Sequence, residues 1–141
     1  MTREEVAAVV KQWLAGFSRH DVDALASLYA EDCVVESPLA AGAVKGREAN
    51  ARVFRTFFET FRDVTFTQDE LIVEGDRAVL VGVLSGTDTG GLMGMSASGK
   101  HVQVPIVGLF RMRDGLIVHE RRIYDFTGLL VQIGVLKAKP A

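Results

Sequence analysis

The chain has 141 residues, of which 48% are hydrophobic, and its formal net charge is −2. This length fits one domain, and the composition excludes a disordered or low-complexity protein. Acidic residues outnumber basic ones by 18 to 16, so the basic surplus typical of nucleic-acid or anionic-lipid binding is missing. The one cysteine, Cys33, can form neither an internal disulfide nor a cysteine-based zinc site. We therefore expect a single soluble domain over residues 1–141, with no nucleic-acid and no membrane partner.

We expect no targeting signal at the N-terminus, since no apolar run follows a basic head there. The longest apolar runs are far shorter than the ~20 residues that span a bilayer. We expect a cytoplasmic protein.

Three helices are predicted in the first half of the chain. Thr2 and Glu5 form a T-x-x-E capping box, after which apolar residues recur at helical spacing. Asp21 suits the N-cap of a short second helix that carries Leu25, Leu28 and Tyr29 and ends at Glu31 and Asp32. A third helix is predicted over residues 47–61, with its phenylalanines on the buried side.

Extended segments dominate the second half of the chain. Strands are predicted at 33–36, 64–73, 77–86, 101–113 and 116–124. The Asp-Gly pair at positions 114 and 115 favours a tight hairpin turn. Helices followed by antiparallel strands predict an α+β fold, with the helices packed on one face of a curved sheet.

The strand at 101–113 is apolar on both faces. Its even-numbered face carries Val102, Val104 and Phe110, and Val107 and Leu109 lie on the other. A sheet covered by helices on one side needs only one apolar face, so a homodimer through the second face is expected. The alternative is that the chain's own termini cover this strand.

Several motifs resemble the nuclear-transport-factor-2-like superfamily, and within it the SnoaL-like group of polyketide cyclases. The similarity covers nearly the whole chain and rests on the segments at 28–32, 34–38, 85–90, 98–100, 114–117 and 124–134. The resemblance implies a cone-shaped barrel, in which three N-terminal helices close a curved, mostly antiparallel sheet around a deep apolar pocket. Members of this superfamily include cyclases, isomerases, hydrolases and binding domains, so the fold alone does not fix the function.

Two known activities of the superfamily are disfavoured by the residues present. Ketosteroid isomerases need a carboxylate base and an oxyanion hole, and limonene-epoxide hydrolases need an Arg-x-Asp pair and a further aspartate. The matching positions hold other residue types: Trp13, Ser37 and Val107 for the isomerase, and Val83, Ser85 and Arg122 for the hydrolase.

The cyclase chemistry is the one that the resemblance leaves open. SnoaL-like cyclases close a ring by intramolecular aldol condensation without a cofactor, and the aspartate that moves the proton matches Asp125. A carboxylate in an apolar pocket, its pKa raised by desolvation, can both remove and return a proton. The family often has histidine at the position of Asp88 and tryptophan at that of Arg121.

Two carboxylates are therefore candidates for the acid/base. Asp125 can instead be the N-cap of the C-terminal segment. Glu120, with Arg122 as its partner, is the second candidate, and its alternative is a cross-strand ion pair on the surface. The sequence does not decide which face of the last strand lines the pocket.

The apolar pocket is expected to be dry and to bind substrate by burial. The alternative for its aromatic residues is plain core packing. The residues expected to line it are Trp13, Phe17, Phe54, Phe58, Val107, Leu109 and Tyr124.

No metal or cofactor is expected. His101 and His119 each lack a second ligand at metal spacing. The glycine-rich segment 86–91 joins two strands and lacks the phosphate-loop pattern, so it predicts no nucleotide site. Met93 and Met95 beyond it are interpreted either as a lid over the pocket or as part of a dimer contact.

Two hypotheses on function follow. The first is a cofactor-independent acid/base enzyme that acts on a small apolar carbonyl compound, as polyketide cyclases do. The second is a non-catalytic module that binds a small apolar ligand or dimerises.

Overall fold

The computed structural model describes residues 1–40 and 42–137. Within them the helices are α1 (Arg3–Ser18), α2 (Val22–Ala26), α3 (Arg47–Thr60) and α4 (Phe126–Gln132), with a 3-10 turn at Leu92–Gly94. The predicted capping box of α1 is present. The Thr2 hydroxyl accepts from the Glu5 amide at 3.1 Å, and the Glu5 carboxylate accepts from the Thr2 amide at 2.8 Å.

The strands form one curved sheet. They are β1 (Tyr29–Glu36), β2 (Val44–Lys45), β3 (Thr65–Glu74), β4 (Arg77–Thr87), β5 (His101–Arg113) and β6 (Leu116–Tyr124). Their order is β2-β1-β6-β5-β4-β3, and β1 runs parallel to β6 while the other pairs are antiparallel. The predicted α+β class is confirmed. The predicted barrel is wrong, because β2 and β3 are the edges of an open sheet.

The second helix is shorter than predicted. It ends at Ala26, and Tyr29 begins β1, where it is the register partner of Ile117 on β6. The carbonyl of Leu28 accepts the amide of Ile117 at 2.8 Å. Pairing with a distant strand therefore overrides the local helical spacing.

The predicted turn between β5 and β6 is confirmed. Asp114 and Gly115 both have positive φ, 53° and 83°. Two consecutive positive φ values are the requirement of a type I′ hairpin, which an Asp-Gly pair meets at low cost.

The sheet has a buried inner face and a partly exposed outer face. On β5 the even-numbered Val102, Val104 and Phe110 are buried against the helices. Val107 and Leu109 point outwards and are only half-buried. Both faces of β5 are therefore apolar, as the alternation indicated, and the helices cover only the inner one.

Over positions 1–40 and 42–137, no helix has the length and apolar character needed to cross a membrane.

Candidate functional site

A cavity of about 80 Å³ lies between the helices and the inner face of the sheet. Most of its lining is apolar, and the polar lining side chains include Glu120, Arg122 and Tyr124 of β6. Several of the lining side chains are only half-buried, among them Leu39, Val53 and Phe57. Its wall is formed by Trp13, Phe17, Ser37, Leu39, Val53, Phe54, Phe57, Phe61, Val64, Phe66, Leu80, Leu84, Ser85, Gly86, Val102, Val104, Ile106, Gly108, Phe110, Glu120, Arg122, Tyr124 and Leu129.

Glu120 and Arg122 form a buried ion pair in this wall. Their side chains are 1% and 13% exposed, and Arg122 Nε donates to Glu120 Oε2. Arg122 Nη2 also donates to Glu120 Oε1 at 3.3 Å. The guanidinium lies over the ring of Phe54, 4.8 Å from its centroid, which adds a cation–π contact.

Tyr29 and Trp13 extend this pair into a hydrogen-bonded chain. The Tyr29 hydroxyl donates to Glu120 Oε1, and Trp13 Nε1 donates to the Tyr29 oxygen at 3.0 Å. The carboxylate is thereby fixed in one orientation by partners on β1 and β6. Such preorganisation is what a proton-transfer group requires.

The electrostatics of the site favour a charged pair beside a neutral phenol. Burial raises the pKa of Tyr29 well above 10.0, and the negative charge of Glu120 raises it further. Burial lowers the pKa of Arg122, but Glu120 and Tyr29 outweigh that effect and raise it above its ordinary value. Arg122 thus stays charged and Tyr29 stays protonated at neutral pH.

Asn50 on α3 supports the arginine. Its Oδ1 accepts from Arg122 Nη2 at 3.4 Å, and the residue is completely buried. Its Nδ2 makes no hydrogen bond to any residue in the described part of the chain. The amide is therefore oriented by the charge of the guanidinium.

Tyr124 lies at the cavity wall beyond Arg122. Burial raises its pKa above 10.0, while a hydrogen bond with Ser37 opposes that shift. Both Tyr124 and Ser37 line the cavity.

Asp125 does not turn into the cavity, so the structure corrects its predicted placement. It is exposed, and its Oδ1 accepts from the Gly128 amide at 2.8 Å as the N-cap of α4. Asp125 therefore occupies the position of a helix cap, which is the alternative interpretation of this residue. Glu120, the second candidate, is the carboxylate that lines the cavity.

Three predicted lining residues are also placed elsewhere. Val107 and Leu109 face outwards, because the inner face of β5 is the even-numbered one. Phe58 packs against His20, with the two rings stacked at 4.4 Å, and does not reach the cavity. Trp13, Phe17, Phe54 and Tyr124 do line it.

The loop between β4 and β5 is organised by Asp88. This buried carboxylate accepts from the amides of Gly91 and Ser98, each at 3.0 Å. Met93 and Met95 are exposed and are absent from the cavity wall, so this structure shows no lid formed by them. Asp88 holds the loop in shape.

Sequence reasoning missed Tyr29 and Asn50 as members of the site. The local spacing around Tyr29 predicts a helix, and Asn50 is one polar residue among many on α3. One signal was available for both, since a buried Glu–Arg pair needs polar partners from the elements packed on it.

No metal-binding arrangement of three or more His, Cys, Asp or Glu side chains occurs among residues 1–40 and 42–137.

The chain belongs to the SnoaL-like polyketide cyclase family, whose model matches residues 7–133. This confirms the resemblance seen in the sequence. A search of the curated proteins found no match.

Solved structures of similar shape support the fold. The structure of TsrD from Streptomyces laurentii is 29% identical, with a TM-score of 0.84, and the match covers 96% of this chain and 99% of that one. AclR from Streptomyces galilaeus, provisionally described as a hydroxylase, is 23% identical with a TM-score of 0.85, covering 99% and 87%. A protein from Jannaschia sp. CCS1, provisionally described as a SnoaL-like polyketide cyclase, is 24% identical with a TM-score of 0.85, covering 97% and 94%.

Proposed function

We propose that this protein is a cofactor-independent acid/base enzyme that acts on a small apolar carbonyl compound, with Glu120 as the proton-transferring group. The reaction type is the intramolecular aldol condensation of SnoaL-like cyclases. The observation that carries the proposal is a 1% exposed carboxylate in the wall of a mostly apolar cavity. In such surroundings a carboxylate meets a substrate proton without competition from bulk water.

Each polar group has a role in this reaction. The carboxylate of Glu120 removes a proton α to the substrate carbonyl and later returns it to the new alkoxide. Arg122 uses Nε and Nη2 for Glu120 and Asn50, so Nη1 is the donor available to the enolate oxygen. Tyr29 keeps its proton and holds the carboxylate in place.

The cavity volume limits the occupant. A cavity of about 150 Å³ holds one benzene ring, and this one measures about 80 Å³. A ligand with one or more rings must therefore extend beyond this cavity or displace half-buried lining side chains such as Val53 and Phe57. We expect a small substrate, or a larger one that reacts only at the end it inserts.

Proton exchange tests the proposal without knowledge of the natural substrate. Small aromatic ketones are incubated with the protein in heavy water, and incorporation of deuterium at the α-carbon is followed by NMR. We expect the wild-type protein to catalyse exchange and Glu120→Gln to lower the rate by about 10²–10⁴-fold. The matched control is Asp125→Asn, which keeps the cap of α4 and is expected to leave the rate unchanged.

A second variant guards against loss of the fold. Glu120→Gln leaves the charge of Arg122 buried without a partner, which costs about 3–5 kcal/mol. The double variant Glu120→Gln/Arg122→Gln removes both charges and is checked by circular dichroism. Full exchange activity in a folded double variant, or its loss in Asp125→Asn, contradicts the role of Glu120.

A non-catalytic binding module is the second candidate, and one observation favours it. Both carboxylate oxygens of Glu120 already accept hydrogen bonds from Tyr29 and Arg122. A small apolar fluorescent probe that binds stoichiometrically, in a protein that exchanges no ketone protons, would establish this alternative.

A further inference from the structure

A second cluster of hydrogen-bonded side chains lies where the end of β4 pairs with the start of β5. Thr87 is the register partner of His101, and Ser85 lies two residues earlier on the same face of β4. Ser85 Oγ is 2.9 Å from His101 Nε2, and Thr87 Oγ1 is 3.3 Å from His101 Nδ1. Asp63, in the turn before β3, accepts from the Thr87 hydroxyl at 2.8 Å and from its amide at 2.7 Å.

The directions of these hydrogen bonds are fixed by the single hydrogen of the Thr87 hydroxyl. That hydrogen goes to Asp63, so the oxygen of Thr87 is an acceptor towards His101 Nδ1. With its proton on Nδ1, the neutral imidazole has a free lone pair at Nε2, which accepts the Ser85 hydroxyl. The hydrogen bonds from the Thr87 amide and hydroxyl lower the pKa of Asp63, so this acceptor is ionised at neutral pH.

We infer that Ser85 is a nucleophile activated by His101 and that it accepts the acyl group of small activated esters. The arrangement of a nucleophile, a base within hydrogen-bond reach and a third group that orients the base is the one that covalent catalysis requires. His101 is exposed and Ser85 is half-buried, so an ester in solution reaches both. Ser85 also belongs to the cavity wall, but its hydroxyl is bonded to His101 and makes no hydrogen bond to Glu120 or Arg122, so this chemistry does not use that pair.

The acyl transfer balances with water as the only other reactant. Ser85 Oγ attacks the ester carbonyl carbon while its proton passes to His101 Nε2. The tetrahedral intermediate expels the alcohol, which takes that proton from His101 and leaves an acyl-serine. Water then attacks the acyl-serine, with His101 again taking the proton as the base. This hydrolysis releases the carboxylic acid and restores the Ser85 hydroxyl.

The test uses p-nitrophenyl acetate with the full chain. Release of p-nitrophenol is followed by absorbance, and the acetylated residue is located by mass spectrometry of proteolytic peptides. We expect acetylation at Ser85, no acetyl group on that peptide in Ser85→Ala, and acylation about 100-fold or more slower in His101→Gln.

Two controls make the outcome specific. Ser98 is an exposed serine whose hydroxyl accepts the Lys100 amide at 3.2 Å, and Ser98→Ala is expected to react like the wild type. Glu120→Gln is expected to keep the acylation rate while losing ketone proton exchange, which separates the two proposals. Acetylation confined to lysines, or an unchanged rate at Ser85 in His101→Gln, overturns the inference.

Discussion

The phenol of Tyr29 is fully buried, and its hydroxyl donates a hydrogen bond to the carboxylate of Glu120. A tyrosinate there would lose hydration and would face the negative charge of Glu120. Both effects favour the protonated form. The other tyrosine of the chain, Tyr124, also has a raised pKa, but Glu120 is not among the causes of that shift.

This difference predicts two distinct alkaline titrations. In Tyr124→Phe the remaining Tyr29 should ionise well above pH 10.0, and adding Glu120→Gln should bring that midpoint down. In Tyr29→Phe the remaining Tyr124 should ionise above 10.0, with a midpoint that Glu120→Gln does not move. The measurement is tyrosinate absorbance against pH. A Tyr29 midpoint that ignores Glu120 would contradict the hydrogen-bonded chain.

The same shifts set the sign of a stability effect. Tyrosines of the unfolded chain ionise near pH 10, whereas Tyr29 and Tyr124 hold their protons longer in the folded protein. The contribution of these two protonated tyrosines to the free energy of unfolding is therefore fully present below about pH 10. It is lost as the pH rises through their folded-state pKa values.

At the scale of elements, Asp125 controls the start of α4. Its carboxylate accepts the Gly128 amide at 2.8 Å, and this helix contributes the cavity residue Leu129. Asp125→Ala is expected to lower the free energy of unfolding by about 1 kcal/mol, and Asp125→Asn by much less, because asparagine caps nearly as well. Urea unfolding measures both. Equal losses in the two variants would show that the carboxylate does more than cap.

The elements that could be predicted from the sequence are those with local determinants. The capping box of Thr2 and Glu5 fixes where α1 begins, and the Asp-Gly pair at 114 and 115 fixes the β5–β6 turn. Tyr29 is the opposite case, because its helical spacing was overridden by pairing with Ile117, almost ninety positions along the chain. Local patterns fail where a distant strand supplies the hydrogen bonds.

At the scale of the whole molecule, the outer face of the sheet carries an apolar patch. Two rows of register partners cross it: Glu70, Val81, Val107 and Ile123 in one, and Ile72, Val79, Leu109 and Arg121 in the other. Ile72 and Ile123 are 48% and 47% exposed. The charged Glu70 and Arg121 lie at diagonally opposite corners of this patch. In a two-fold symmetric dimer, Glu70 of one copy can therefore face Arg121 of the other copy.

We expect this patch to form a homodimer. Leu109→Lys places a charge at its centre and should yield a folded monomer by light scattering and circular dichroism, because a buried lysine without a partner opposes association. The matched control is Val135→Lys, at a site 46% exposed that follows α4 and is not part of the patch. A wild-type protein that is monomeric at all concentrations would rule out the dimer.

The sequence by itself determined the α+β class, the main helices and strands, the family and the two apolar faces of β5. These follow from local periodicity and from motifs that neighbouring residues carry. Only the tertiary structure decided which carboxylate lines the cavity. A register shift between β5 and β6 brings both Ile117 and Glu120 inside, although strict alternation would place them on opposite faces. The irregularity is a property of two paired strands, so the pattern of β6 alone could not choose between Glu120 and Asp125.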